Sequence, residues 1–179
     1  MLQARVLAGQ SSASMSRLTP ALQTYSILAG SLAAGANLST SIIVFPALLH
    51  ATGATLSKQW LILYESGILP VSGCAMTSSL GFATLAYRAF FSPTLTASGA
   101  VSYAQRNLYV AAAVGLFGLV PYTRLLMWGT ITELSKRGQS GKGEEKDTRE
   151  LVERWGTMNL WRGVLLLGST GVGIWASLL

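Results

Sequence analysis

Four long stretches of apolar and small residues alternate with short polar ones along the chain. The first, about 22–49, contains no charged residue. The second covers about 70–91, the third about 107–132 and is uncharged up to Arg124, and the fourth about 151–179 with its apolar part starting near Trp161. A hydrocarbon layer about 30 Å thick takes roughly 20 apolar residues per helix. The pattern therefore predicts an all-α fold, a four-transmembrane-helix bundle. Between the first two spans, TLSKQWLILYESG (55–67) carries Trp60 and Tyr64 four residues apart, flanked by Lys58 and Glu65. That arrangement predicts a short interfacial helix. Between the last two, SKRGQSGKGEEKDTRE (135–150) is glycine-rich and densely charged, and predicts a long loop in water. Residues 1–20 read as a flexible N-terminal tail and 21–179 as one membrane domain.

Composition strengthens the membrane reading. Half of the 179 residues are hydrophobic, 11% are charged and the mean hydropathy is +0.44, whereas a soluble domain is about a quarter charged. Cys74 is the only cysteine and His50 the only histidine. One chain thus forms no internal disulfide and offers neither a cysteine cluster nor a two-histidine iron site, so no metal centre is expected. The net charge of +6 sits at segment ends and in the 135–150 stretch, without a basic stripe interleaved with aromatics, so nucleic acid is not an expected partner. Lipid headgroups are. Lys58, Lys136, Arg137, Lys142, Lys146, Arg149 and Arg154 fall on one side, against Arg5, Arg17, Arg88 and Arg106 on the other. The positive-inside rule then places the 135–150 stretch in the cytosol.

Polar side chains at membrane depth must find partners or line a cavity. In the first span Gly30, Ala34, Asn37 and Ser41 share one narrow face. Hydroxyls such as Thr40 and Ser41 can bond to the preceding turn of their own helix. The Asn37 amide cannot satisfy its hydrogen-bonding sites locally, and needs either another helix or a ligand. In the fourth span ERWGTMNLWRG (153–163) places Trp155, Asn159 and Arg162 at i, i+4 and i+7. These are either interfacial and helix-joining groups or a platform, an amide and a cation for a planar, oxygen-bearing aromatic molecule. Arg124 is placed to pair with Glu65, with Glu133 or with a ligand oxygen. His50 follows Pro46, whose ring should kink the first span and open space beside it.

GANLSTSIIVFPALLHA (35–51), KQWLILYESG (58–67), PYTRLLMWGTITEL (121–134) and LVERWGTMNLWRG (151–163) together resemble the small four-helix membrane family of the fungal anthrone oxygenases, noranthrone monooxygenase-like proteins. The resemblance covers nearly all of the chain after residue 20. Where the family usually has Thr-Asn in the third-span element, this sequence has Thr130-Ile131. The resemblance implies a multi-pass endomembrane enzyme that oxidises an anthrone to an anthraquinone with O2 and no cofactor. Its substrate would be a hydrophobic aromatic polyketide, and its partners the enzymes of one biosynthetic cluster. In that scheme His50 is the candidate base; Asn37, Asn159, Arg124 and Arg162 donate to substrate oxygens; Trp155 is a stacking wall. A non-catalytic assembly or transport factor would share the small-residue seams, and an enzyme of another polyketide aromatic would share the site. Convergence of His50, Asn159 and Arg162 on one cavity distinguishes an enzyme from such a factor.

Overall fold

The computed structural model describes the backbone of residues 2–91, 94–95, 101–141 and 144–179, with side chains from Leu18 onward except 92–101 and 142–143. Helix α1 (Leu2–Ser39) runs into a π-helical turn, Thr40–Val44, and then α2 (Phe45–Leu48). After a turn at Leu49 and His50, α3 (Gly53–Phe91) crosses the molecule as a single helix. A two-residue antiparallel ribbon, β1 (Thr94–Leu95) with β2 (Val101–Ser102), leads to the third rod. That rod is α4 (Ala104–Phe117), α5 (Leu119–Tyr122), a second π turn (Thr123–Met127) and α6 (Trp128–Ser140). Helix α7 (Glu145–Leu178) completes the bundle.

Leu18–Leu48, Gly53–Phe91 and Ala104–Ser140 are long and apolar enough to cross a membrane. Helix α7 is as long, but its first turns are charged and Arg162 interrupts its apolar half. Neighbouring rods run antiparallel. Gly30 meets Thr170, Leu38 meets Gly163 and Phe45 meets Gly156 in reverse order along α1–α2 and α7. Ser78 donates to Ser26 O (2.6 Å) and Ser79 to Ala113 O (2.8 Å), joining α3 to α1 and to α4. These two serines, buried between helices, are thus paired across the bundle, while small residues let the backbones approach.

Two expectations about the connectors are corrected. Segment 55–67 is not a separate interfacial helix but the first third of α3. Trp60 is not an interfacial anchor: it is fully buried, packed with Leu56, Met127, Leu134, Val152 and Trp155. Burial at both ends of α3 favours one continuous helix, and Pro70 costs it a single backbone bond without ending it. Likewise 135–150 is mostly helical. Gly141, with φ +65°, closes α6, and Glu145 and Asp147 occupy the first turn of α7, where the helix dipole favours acids.

The core consists of two clusters. One, around Phe82, Leu85, Tyr109, Leu116 and Leu166, fills the half of the bundle at the ribbon end. The other, around Trp60, Met127, Leu134 and Trp155, fills the half at the α6–α7 end.

Candidate functional site

Three helix-breaking features meet between those clusters. Pro46 lies four residues past Ile42, whose carbonyl its ring would strike in a regular α-helix, and the chain widens into a π turn there. Pro121 has no N–H for the carbonyl of Phe117; α4 ends at that residue and a second π turn follows at Thr123. Pro70 interrupts the bonding of α3, where the Ser72 hydroxyl donates to the Ile68 carbonyl. π turns often accompany functional sites. Here Thr40, Gly67, Val71, Ser72, Leu119 and Thr123, all near these prolines, line a cavity of about 340 Å³. That volume lies in the range of small-molecule sites, about 300–1,000 Å³. Ile68, Val120 and Trp128 also line it and are 42%, 41% and 48% exposed. The cavity therefore reaches the outer face of the bundle between α3 and the third rod.

Five of the six residues singled out in the sequence line this cavity: Asn37, Arg124, Trp155, Asn159 and Arg162. Asn37 is 2% exposed and Asn159 1%. Asn159 Nδ2 donates to Asn37 O (3.2 Å) and to Ser41 Oγ (2.8 Å), and Arg162 Nη2 donates to Asn37 Oδ1 (3.1 Å). The predicted polar faces of the first and fourth spans thus meet each other. Glycines on α7 make this approach possible: a Cβ on Gly163 would lie 2.7 Å from Leu38 Cδ2, and one on Gly156 2.4 Å from Phe45 Cε2. Thr40 donates to Ala36 O (2.8 Å) and Ser41 to Asn37 O (3.3 Å), satisfied on their own helix as expected.

The pairing is incomplete. Among the described residues, Asn37 Nδ2, Asn159 Oδ1, Arg162 Nε, Trp155 Nε1 and Trp60 Nε1 are buried without a partner. Four of these five atoms belong to residues that line the cavity. Unpaired buried polar atoms are rare and expensive, about 1–3 kcal/mol each, and here they gather on one wall of the cavity.

Two expectations change. His50 is exposed in the turn after α2 and is not among the lining residues, so only Asn159 and Arg162 converge on the cavity and the three-residue criterion for an enzyme is not met. Arg124 pairs with neither Glu65 nor Glu133: its guanidinium stacks over Trp128 at 4.2 Å, and Glu133 bonds to Arg137 at 3.0 Å. Trp155 lines the cavity and meets Trp60 edge-on, at 5.6 Å and 89°. Tyr64, read in the sequence only as an interfacial aromatic, lines the cavity and stacks on Trp60 at 5.2 Å. Ile131, at the family's asparagine position, packs in the core with Trp60 and Trp155 rather than on the cavity wall.

The fold and site define a class: a helical membrane protein with an apolar cavity whose deep wall carries a cation and two amides. Within that class the chain belongs to the anthrone oxygenase family, whose description matches residues 60–172. It is 30% identical to anthrone oxygenase encC of Aspergillus fumigatus over 159 residues, covering 77% of this chain and 82% of the relative. No solved structure matches it. The protein is accordingly an oxygenase, and so an oxidoreductase.

Proposed function

We propose that this is a four-pass membrane enzyme, α7 included, that oxidises an anthrone to an anthraquinone with O2 in aromatic polyketide biosynthesis. The observation that carries the reading is Arg162, a guanidinium on an apolar cavity, held by Asn37, with no carboxylate among the lining residues. A cation kept from water without a counter-charge is costly. An anion in the cavity removes that cost.

An anthrone becomes an anion when its central methylene loses a proton, because the charge spreads onto the ring carbonyl oxygen. Hydrogen bonds from Arg162 and the Asn37 amide favour that enolate over the neutral ketone. The enolate transfers one electron to O2, and the two radicals combine into a carbon–oxygen bond. The hydroperoxide then loses water to leave the new carbonyl. One oxygen atom enters the quinone and the other leaves as water.

The lining contains no His, Cys, Asp or Glu. Its amides, hydroxyls and guanidinium suit an oxygen anion better than a metal ion, which supports a reaction without a resident metal. An apolar substrate drawn from the bilayer fits a cavity that opens on the outer face, and an endomembrane site beside other enzymes of the pathway fits such a substrate. Purified protein in lipid nanodiscs is expected to convert emodin anthrone to quinone under air at a rate proportional to enzyme, and to stop when O2 is removed. Conversion no faster than in empty nanodiscs would refute the proposal.

A further inference from the structure

The reaction moves two protons from one carbon to water, and the cavity needs a group to carry them. Thr40, Thr123 and Ser72 are committed to their own helices, donating to Ala36 O, Leu119 O and Ile68 O. Three tyrosines are buried or half-buried. Tyr109 accepts from Gln23 Nε2 (2.7 Å) and donates to Ser177 (3.2 Å), and Tyr122 donates to Met158 O (3.0 Å). The Tyr64 hydroxyl makes no hydrogen bond to any described residue. Its ring is fixed by a nearly parallel stack on Trp60, 7° between planes, and Trp60 is itself braced edge-on by Trp155. Arg162 from α7 and Arg124 from the second π turn line the same cavity as Tyr64, and no acid does.

Resting on the anthrone reading above, we infer that Tyr64 is the acid–base residue of the reaction, its hydroxyl being the one phenol on the cavity wall left without a partner. The Tyr64 phenolate takes the first methylene proton, leaving the enolate, which O2 converts to the carbon-bound peroxide anion. Tyr64 returns that proton to the peroxide. The phenolate then removes the second proton from the same carbon; the C=O bond forms as the O–O bond breaks and hydroxide leaves. Tyr64 protonates the hydroxide to water and is again the phenolate. Both protons end in one water molecule, so no other acid or base is consumed.

The test measures enzyme-dependent quinone formation from emodin anthrone in nanodiscs across pH. Tyr64→Phe, which keeps the ring stack, is expected to lower kcat about 100-fold or more while KM stays within about twofold. Tyr87→Phe, on an exposed tyrosine, serves as control. Replacing Tyr64 by 3,5-difluorotyrosine is expected to move the rising limb of kcat to lower pH, following the more acidic phenol. Limbs set by the substrate's own ionisation do not move with that replacement. An unimpaired Tyr64→Phe, an unmoved limb, or loss of kcat in His50→Ala instead overturns the role of Tyr64 alone. An unmodified protein that leaves anthrone untouched overturns the anthrone reading as well.

Discussion

Arg162→Met is expected to lower kcat/KM for emodin anthrone about 10³-fold, or about 4 kcal/mol of transition-state stabilisation. Methionine keeps the length and apolar stem of arginine, so α7 retains its packing while the guanidinium is lost. The donor to Asn37 Oδ1 at 3.1 Å goes with it, and the amide that holds Arg162 then has nothing to position. Because the two residues act as one unit, Asn37→Leu combined with Arg162→Met is expected to cost little more than Arg162→Met alone. Quinone absorbance in nanodiscs measures all four forms. Losses that simply add would separate the two roles.

Trp60→Ala is expected to be the most damaging change to stability, about 3–5 kcal/mol. Trp60 is fully buried, stacks on Tyr64 and meets Trp155 edge-on. Removing it leaves a void in the cluster that closes the α6–α7 end of the cavity, so catalysis should fall along with stability. Trp175→Ala offers the contrast: that ring is 61% exposed and should cost far less. Unfolding in mixed micelles of increasing denaturing detergent, followed by circular dichroism, compares the two. Equal losses would mean that the Trp60 cluster does not organise the fold.

Much of the site was readable because it lies on regular helical faces. Trp155, Asn159 and Arg162 recur at i, i+4 and i+7, and Gly30, Ala34, Asn37 and Ser41 share another face. Helix periodicity fixes such faces without tertiary knowledge, and the antiparallel course of α1 and α7 brings them into register. The unsatisfied amide of Asn37 indicated a long-range partner; that Asn159 and Arg162 both supply one required the fold. Other features depend on long-range contacts. Trp60 and Tyr64 beside Lys58 have the composition of an interfacial belt, and nothing local shows that Met127 and Trp155 close over Trp60. The charges at 135–150 read as a loop, but charged residues also cap and flank helix ends, and α6 continues to Ser140 while α7 begins at Glu145. Pro46 correctly marks a disruption. Its effect falls upstream, at Thr40–Val44, so the cavity borders Thr40 while His50 faces outward. Arg124 has acids near it in sequence, yet Glu133 lies one turn from Arg137 and binds it instead.

In the proposed reaction O2 attacks a substrate anion held beside Arg162, and oxygen-isotope labelling tests this most directly. With ¹⁸O2 and emodin anthrone, the unmodified protein in nanodiscs is expected to yield quinone carrying one ¹⁸O at the newly formed carbonyl, with Arg162→Met reduced to the rate of empty discs. Quinone whose new oxygen comes from labelled water instead, or labelling equally fast with Arg162→Met, would contradict the account.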